Sequence, residues 1–264
     1  MKTEHLKNIK YRTEKQVAIV EFNRPDRLNA VDYRFVKELA FVVEQVKNDS
    51  SIKVVVITGT GEGFCTGADL KNIGFDTRNP LAVKNFLQEV HHILLEITEM
   101  EKPFISAVNG YAVGAGCNLA LSTDLIIASE NAQFSQIFVR VGAVPDVAGI
   151  YFLPRLIGMA RAREMFYTGK VISAREAERM GLISRVVEHG SLMEETLQLA
   201  GQLVEGPTAA IGMIKRMLTR GADMDLREVL QMEAYAQAVA FHTEDFQEGA
   251  SAFAEKHKAN FKGK

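Results

Sequence analysis

An α/β protein whose strand-rich part precedes a helix-rich part is what this sequence predicts, and three stretches carry the prediction. Lys53-Val-Val-Val-Ile-Thr58 is β-branched and uninterrupted, as expected of a strand buried on both faces. Residues 104–121 read as strand, glycine-rich turn and helix: Phe104 to Val108 is apolar, Asn109-Gly110 breaks it, and Gly114 and Gly116 permit close backbone approach before the helix at 117–121. From Ala160 onward the apolar spacing is mainly helical. No linker rich in Pro, Gly or Ser separates the parts, so residues 1–200 are expected to form a core and 201–264 a helical region attached to it.

Taken in order, residues 11–22 hold the alternating run Val17-Ala-Ile-Val-Glu-Phe22, and Glu14-Lys15 is a polar break that turns one strand into the next, giving an opening hairpin. Residues 23–29 form a loop by their Pro and Asn content. Asp32 then caps a helix ending near Asn48, whose apolar positions are Phe35, Val36, Leu39, Val42, Val43 and Val46. Gly59-Thr-Gly-Glu-Gly63 lacks both the Gly-Lys-Ser/Thr of a P-loop and the G-x-G-x-x-G spacing, which argues against nucleotide binding. A glycine-bearing turn at 64–70 and a polar loop lead to a helix at 81–99, on which the adjacent His91 and His92 point in different directions and cannot serve one site from one face. Short strands are expected at 125–128 and 132–135, and a turn at 142–146. Helices follow at 160–168 and at 173–180, the latter with a Ser173/Glu176 capping box, then a short strand through Val187 and helices at 192–203, 207–218 and 226–241.

With 47% hydrophobic residues and a formal charge of −2, the 264-residue chain can bury a sizeable core and lacks the basic block that phosphate backbones require, so no nucleic-acid partner is expected. No apolar run reaches membrane-spanning length and the start, Met1-Lys-Thr-Glu-His-Leu-Lys7, lacks a secretory core; a soluble, cytoplasmic protein without a membrane partner is the expectation. Cys65 and Cys117 show no zinc spacing, and no metal site is expected.

Two strand-ending turns of small residues, around Ala68 and around Ala115, can each aim one backbone N–H at the same point. Such a pair stabilises charge developing on a carbonyl oxygen; equally, small residues there let a helix pack tightly on a sheet. Neither turn supplies a nucleophile, for there is no G-x-S-x-G elbow and neither cysteine has an evident His partner, so the chemistry points to enolate formation. Asp146, alone among small and apolar residues, reads either as a helix N-cap or as a base.

Phe64-Cys-Thr-Gly-Ala-Asp-Leu70 together with Val108-Asn-Gly-Tyr-Ala-Val-Gly-Ala-Gly-Cys-Asn-Leu119 resembles the crotonase superfamily of enoyl-CoA hydratases and isomerases. The likeness extends to Asn23-Arg-Pro-Asp-Arg-Leu-Asn-Ala30, Thr168-Gly-Lys-Val-Ile-Ser-Ala174 with Gly181-Leu-Ile183, and Glu248-Gly-Ala-Ser-Ala-Phe-Ala-Glu-Lys256. The resemblance implies a crotonase-like spiral of β-β-α repeats over residues 1–200, a trimerisation region over 201–264, a homotrimer or dimer of trimers, and an acyl-CoA thioester substrate, with no cofactor beyond the CoA that the substrate carries. It places the oxyanion donors on the N–H groups of Ala68 and Ala115, and the substrate contacts on Arg27, Asp69, Leu70, Lys71, Gly114, Asn118, Phe138 and Val141, with Phe253 and Lys256 reaching in from a neighbouring subunit.

The sequence departs from the hydratase pattern at two positions. Hydratases of the superfamily carry two water-holding glutamates where this chain has Asn118 and Phe138, and neither residue can transfer a proton. Asp146 matches the position from which some superfamily isomerases present an aspartate, and residues 134–146 followed by 153–162 look most like the ring-expanding isomerase of phenylacetate degradation. One carboxylate can take a proton from one carbon and return it to another, and an apolar pocket, expected from residues such as Phe138 and Val141, would raise its pKa toward neutrality. The resemblance thus implies an isomerase using Asp146. The other readings are a hydratase in which Asp146 and Asn118 position water, an aryl-CoA dehalogenase with Asp146 as nucleophile and His91 beside it, which also uses a tryptophan where this Trp-free chain has Phe138, and a non-catalytic structural or RNA-binding member.

Overall fold

The computed structural model describes residues 3–264; Met1 and Lys2, the outset of the polar start, lie outside them. β1 (Ile9–Glu14) and β2 (Val17–Phe22) form the expected hairpin, with Lys15 at φ 54° in its two-residue turn. β1 is an edge strand, and its outward Lys10 and Arg12 lie 3.6 and 3.4 Å from Glu21, a charged rim that discourages pairing with another chain. The chain then alternates between two sheets. β3 (Val54–Gly59), β5 (Phe104–Val108) and β7 (Leu125–Ser129) join the hairpin in a six-stranded sheet of order β1-β2-β3-β5-β7-β10, where β10 is Arg185–Val187. β4 (Gly63–Cys65), β6 (Tyr111–Val113), β8 (Gln133–Ser135) and β9 (Val171–Ser173) form a four-stranded one. The helices that close the repeats are α2 (Pro80–Glu99) after β3-β4, α3 (Ala115–Leu121) after β5-β6, and α4 (Gly149–Thr168) after β7-β8. This is the spiral of β-β-α units of the crotonase fold.

Burial on both faces explains the continuous valines of β3. Val54 and Val56 pack with Val17, Ile19 and Ile105 under Leu192 and Ala200 of α6 (Leu192–Val204), whereas Val55 and Ile57 face the main core with Phe22, Phe35 and Phe64. Phe22 touches Phe35 and Phe64 edge-on at 4.8 and 5.4 Å, so one ring joins the large sheet to both α1 (Tyr33–Asn48) and the small sheet. α1 begins where expected: Asp32 accepts the N–H of Phe35 at 2.7 Å.

Several elements differ from expectation. β4 and β6 lie in stretches expected as glycine-bearing turns, and β9 falls where no strand is expected; at three residues each they are too short to show alternation. α4 starts at Gly149 rather than at 160. Gly158, at φ 78° and ψ 158°, divides it, and Pro154 in the first piece masks the helical pattern. α5 (Ala174–Met180) has Ser173 accepting the N–H of Glu176 at 3.2 Å, but the reciprocal box forms at Asp225 and Glu228, at the start of α8 (Leu226–Ala240). After α7 (Thr208–Gly221) and α8 comes an unanticipated α9 (Glu244–Glu255), capped by Thr243. No helix among the described residues is long and apolar enough to cross a membrane.

Candidate active site

The two small-residue turns meet. Past β4, Val31 donates to the carbonyl of Gly67 at 2.7 Å and accepts from the N–H of Asp69 at 2.9 Å, which pins the residues on either side of Ala68 and leaves the Ala68 N–H without an acceptor among the described residues. Past β6, Gly114 takes φ 56° and donates to Ser135 at 2.8 Å, turning the chain so that Ala115 opens α3; its N–H is one of the orphan donors of that first turn. The turns are in contact, for a Cβ on Gly67 would stand 3.3 Å from the nitrogen of Ala115.

Ala68, Ala115 and Asp146 line a single narrow cavity of about 40 Å³. Its remaining wall is apolar: Val31, Phe35, Val36 and Leu39 from α1 and the strand-like segment before it, Phe86, Leu87, Val90, Ile93 and Leu94 from α2, then Leu119 and Val147. Burial in this surface pushes the Asp146 carboxyl up to about 6, offset only in part by its own backbone N–H. Its Oδ1 is buried without a hydrogen-bond partner among the described residues. The two following residues, Val147 and Ala148, are both left-handed, at φ 49° and 55°. For β-branched Val147 this conformation costs on the order of 1–3 kcal/mol. Asp146 is therefore not the N-cap of α4; Ala148 holds that place, without a side-chain cap.

The other anticipated contacts divide. Asp69 is turned from the cavity into a 2.9 Å ion pair with Arg24; burial raises its pKa, but the guanidinium and the N–H of Asn72 outweigh this and hold it below the usual carboxylate value. Arg27 is exposed and close enough to Asp69 to act on that carboxylate, and Leu70 and Lys71 are exposed beside it. Phe138 packs over Gly114, and Val141 is exposed; neither lines the cavity, so the apolar wall expected from them comes from α1 and α2 instead. Asn118 is fully buried and bonded to protein, with Nδ2 donating to the Asp146 carbonyl at 2.8 Å. Phe253 is 89% exposed on α9 and Lys256 is its left-handed C-cap; no α9 residue lines the cavity of its own chain. His91 and His92 are both exposed, and neither lines it. A wider groove of about 400 Å³ holds Asp124 and Lys215, already paired at 2.9 Å, and contains none of the three cavity residues.

The sequence from residue 12 to 264 matches the family model described as enoyl-CoA hydratase/isomerase. The chain belongs to that family. It is 37% identical to a short-chain-enoyl-CoA hydratase of Clostridium acetobutylicum, over 96% of this chain and 97% of that one. It is 36% identical to a 1,2-epoxyphenylacetyl-CoA isomerase of Escherichia coli, over 95% and 97%. Among solved structures it superposes on an enoyl-CoA hydratase subunit I of Geobacillus kaustophilus with a TM-score of 0.91, at 39% identity, over 97% of this chain and 98% of that one. This member of the enoyl-CoA hydratase/isomerase family carries a cavity lined by Ala68, Ala115 and one carboxyl group whose pKa is raised by burial. The small residues after two strands marked the Ala68 and Ala115 turns in the sequence, and the structure brings those turns into contact. The wall from α2 was not visible there, because the apolar face 86–97 announces a helix without saying what it faces.

Proposed function

We propose that the chain is an acyl-CoA isomerase that shifts a double bond, or rearranges a ring, through an enolate. The observation that carries this reading is that Asp146 is, among the described residues, the one ionisable side chain lining the cavity that Ala68 and Ala115 also line. With the thioester oxygen held by those two donors, Asp146 removes a proton from C2 of a 3-enoyl thioester. The electrons pass into the dienolate, whose charge rests on the bound oxygen, and the same carboxyl returns the proton to C4, leaving a 2-enoyl product. Two backbone donors lower such a barrier by a few kcal/mol each, and the elevated pKa of Asp146 suits it to accept and return a proton near neutral pH. In this reading the exposed Arg27 and Lys71 meet the nucleotide end of CoA, with exposed Leu70 beside Lys71. Residues 201–264 serve trimer formation in this reading, with Phe253 and Lys256 completing the CoA site of a neighbouring copy, singly or as paired trimers. No cofactor beyond the CoA of the substrate is required.

The second reading is a hydratase, favoured by the names of several relatives, among them the Clostridium enzyme and a crotonyl-CoA hydratase of Syntrophomonas wolfei at 36% identity. Against it stands the want of a second side chain to hold water: Asn118 is committed to protein partners and Phe138 is a hydrocarbon ring. Assays on 3-enoyl, dienoyl, ring-epoxide and crotonyl CoA thioesters separate the readings. Isomerisation that falls about 10²–10⁴-fold in Asp146→Asn supports the proposal; brisk crotonyl-CoA hydration with no double-bond movement overturns it.

A further inference from the structure

Asn118 occupies a position that the structure explains by something other than substrate contact. It is 0% exposed, on the first turn of the helix whose opening residue is Ala115, and its own N–H donates to Gly114 at 3.1 Å. Its amide joins two groups. Nδ2 donates to the Asp146 carbonyl at 2.8 Å, and Oδ1 accepts from Nε2 of Gln136 at 2.7 Å. The direction of this relay is forced. The Asp146 carbonyl can only accept, so Asn118 must present its NH₂ there and its oxygen to Gln136, which must answer with its own NH₂. That leaves Gln136 Oε1, equally buried, as the relay's end without a partner among the described residues. Gly149 closes the arrangement, because any Cβ on it would collide with the Asn118 amide.

From this geometry we infer that Asn118 is a positioning residue, which ties the Asp146 turn to the helical turn carrying the Ala115 N–H and so sets the distance between proton acceptor and oxyanion donor. The left-handed pair Val147 and Ala148 is a conformation the chain does not adopt unaided, and the Asn118 bond is the side-chain contact that holds the backbone immediately before it. Such a tie acts on the chemical step. The inference rests on the reading of Asp146 as the base, and its test is arranged to separate the two.

Asn118→Ala cuts the tie, and Gln136→Met, close to isosteric, removes only the relay's outer donor while leaving Asn118 in place. Both are assayed with 3-hexenoyl-CoA, beside Asp146→Asn, with intact sites counted by calorimetric titration with acetyl-CoA. The expected result is a fall in kcat per intact site of about 10–100-fold for Asn118→Ala, the scale of a misplacement near 1 Å, and a smaller fall for Gln136→Met, with KM and acetyl-CoA affinity within about twofold of wild type. A wild-type kcat per intact site in Asn118→Ala while Asp146→Asn is inactive overturns this inference and leaves the base assignment standing. A rise in KM with unchanged kcat makes Asn118 a substrate contact and overturns it too. Full activity of Asp146→Asn overturns the base assignment and the inference with it.

Discussion

Gly116 lies so close to Cys65 that a Cβ on it would collide with the Cys65 carbonyl and stand 2.7 Å from the Cys65 Cβ. This contact seats α3 on the end of β4 and so brings the Ala115 turn against the Ala68 turn. Gly116→Ala must part them. Expected are a loss of about 10²-fold in kcat, comparable with removing one oxyanion donor, and a destabilisation of about 1–3 kcal/mol from overpacking. Gly201 in α6 is the matched control. Nothing lies within 4 Å of its virtual Cβ, so Gly201→Ala should stabilise by about 0.5–1 kcal/mol and leave kcat unchanged. Urea denaturation and steady-state assays read both.

What the sequence made legible followed from local rules. Asp32 and the apolar positions from Phe35 to Val46 announced α1, and the valines of β3 announced a two-faced strand, because capping and periodicity act within a few residues. The Ala68 and Ala115 turns were legible for the same reason, as small residues at strand ends. The cavity wall was not. Phe86, Val90, Ile93 and Leu94 say that α2 has an apolar face, but only the packing of α1 against α2 makes that face a wall beside Asp146. The direction of the Asn118 amide was likewise invisible, since it depends on a carbonyl 28 positions away. So was the left-handed Val147, where a β-branched residue takes a conformation that local preference opposes.

A half-buried ion pair, its lysine buried and its carboxylate partly exposed, holds α7 to the sheet. Lys215 of α7 reaches Asp124 Oδ2 at 2.9 Å and the carbonyls of Ile97 and Lys102 at 2.7 and 3.0 Å, while Asp124 also accepts the N–H of Phe104 at 2.7 Å. Burial pushes the Asp124 carboxyl up and the Lys215 amine down, each opposed by the other's charge. Lys215→Met leaves a partly solvated carboxylate with the N–H of Phe104 and should destabilise by about 1–3 kcal/mol. Lys215→Met with Asp124→Asn should recover part of that loss, and a double-mutant cycle in urea measures the coupling.

Oligomerisation has its own check. α8 has no buried residue within the chain, and Leu226, Leu230, Tyr235 and Val239 on it, with Phe241 just beyond, are all large and exposed. Apolar surface on that scale calls for a partner, and a second and third copy of this chain is the occupant the proposed function requires. Sedimentation at micromolar concentration should give a trimer or hexamer. Leu230→Glu with Tyr235→Glu should shift the protein to monomer and raise the KM for acyl-CoA, through loss of Phe253 and Lys256 from the neighbouring site. A stable wild-type monomer would remove the role given to those two residues.

Asp146 links activity and stability in opposite senses. Its folded pKa, about 6, lies above its ordinary value of 3.8, so the native state binds the proton more tightly than the unfolded chain does. The stability this contributes is fully present below pH 4 and is lost as pH rises through 6. At about 1.4 kcal/mol per pKa unit the loss is on the order of 2 kcal/mol, allowing for the partial exposure of the carboxyl. Asp146→Asn does not titrate. It should therefore melt above wild type at pH 8 by several degrees, with the gap closing toward pH 4. The ionised carboxylate is also the form that accepts a proton, so wild-type kcat/KM for isomerisation should rise tenfold per pH unit below about 6 and level off above it. The base is thus competent only in the pH range where it destabilises the fold. A melting difference between wild type and Asp146→Asn that stays constant from pH 4 to 8 would mean that the carboxyl is solvated rather than buried, and would remove the physical basis for its elevated pKa.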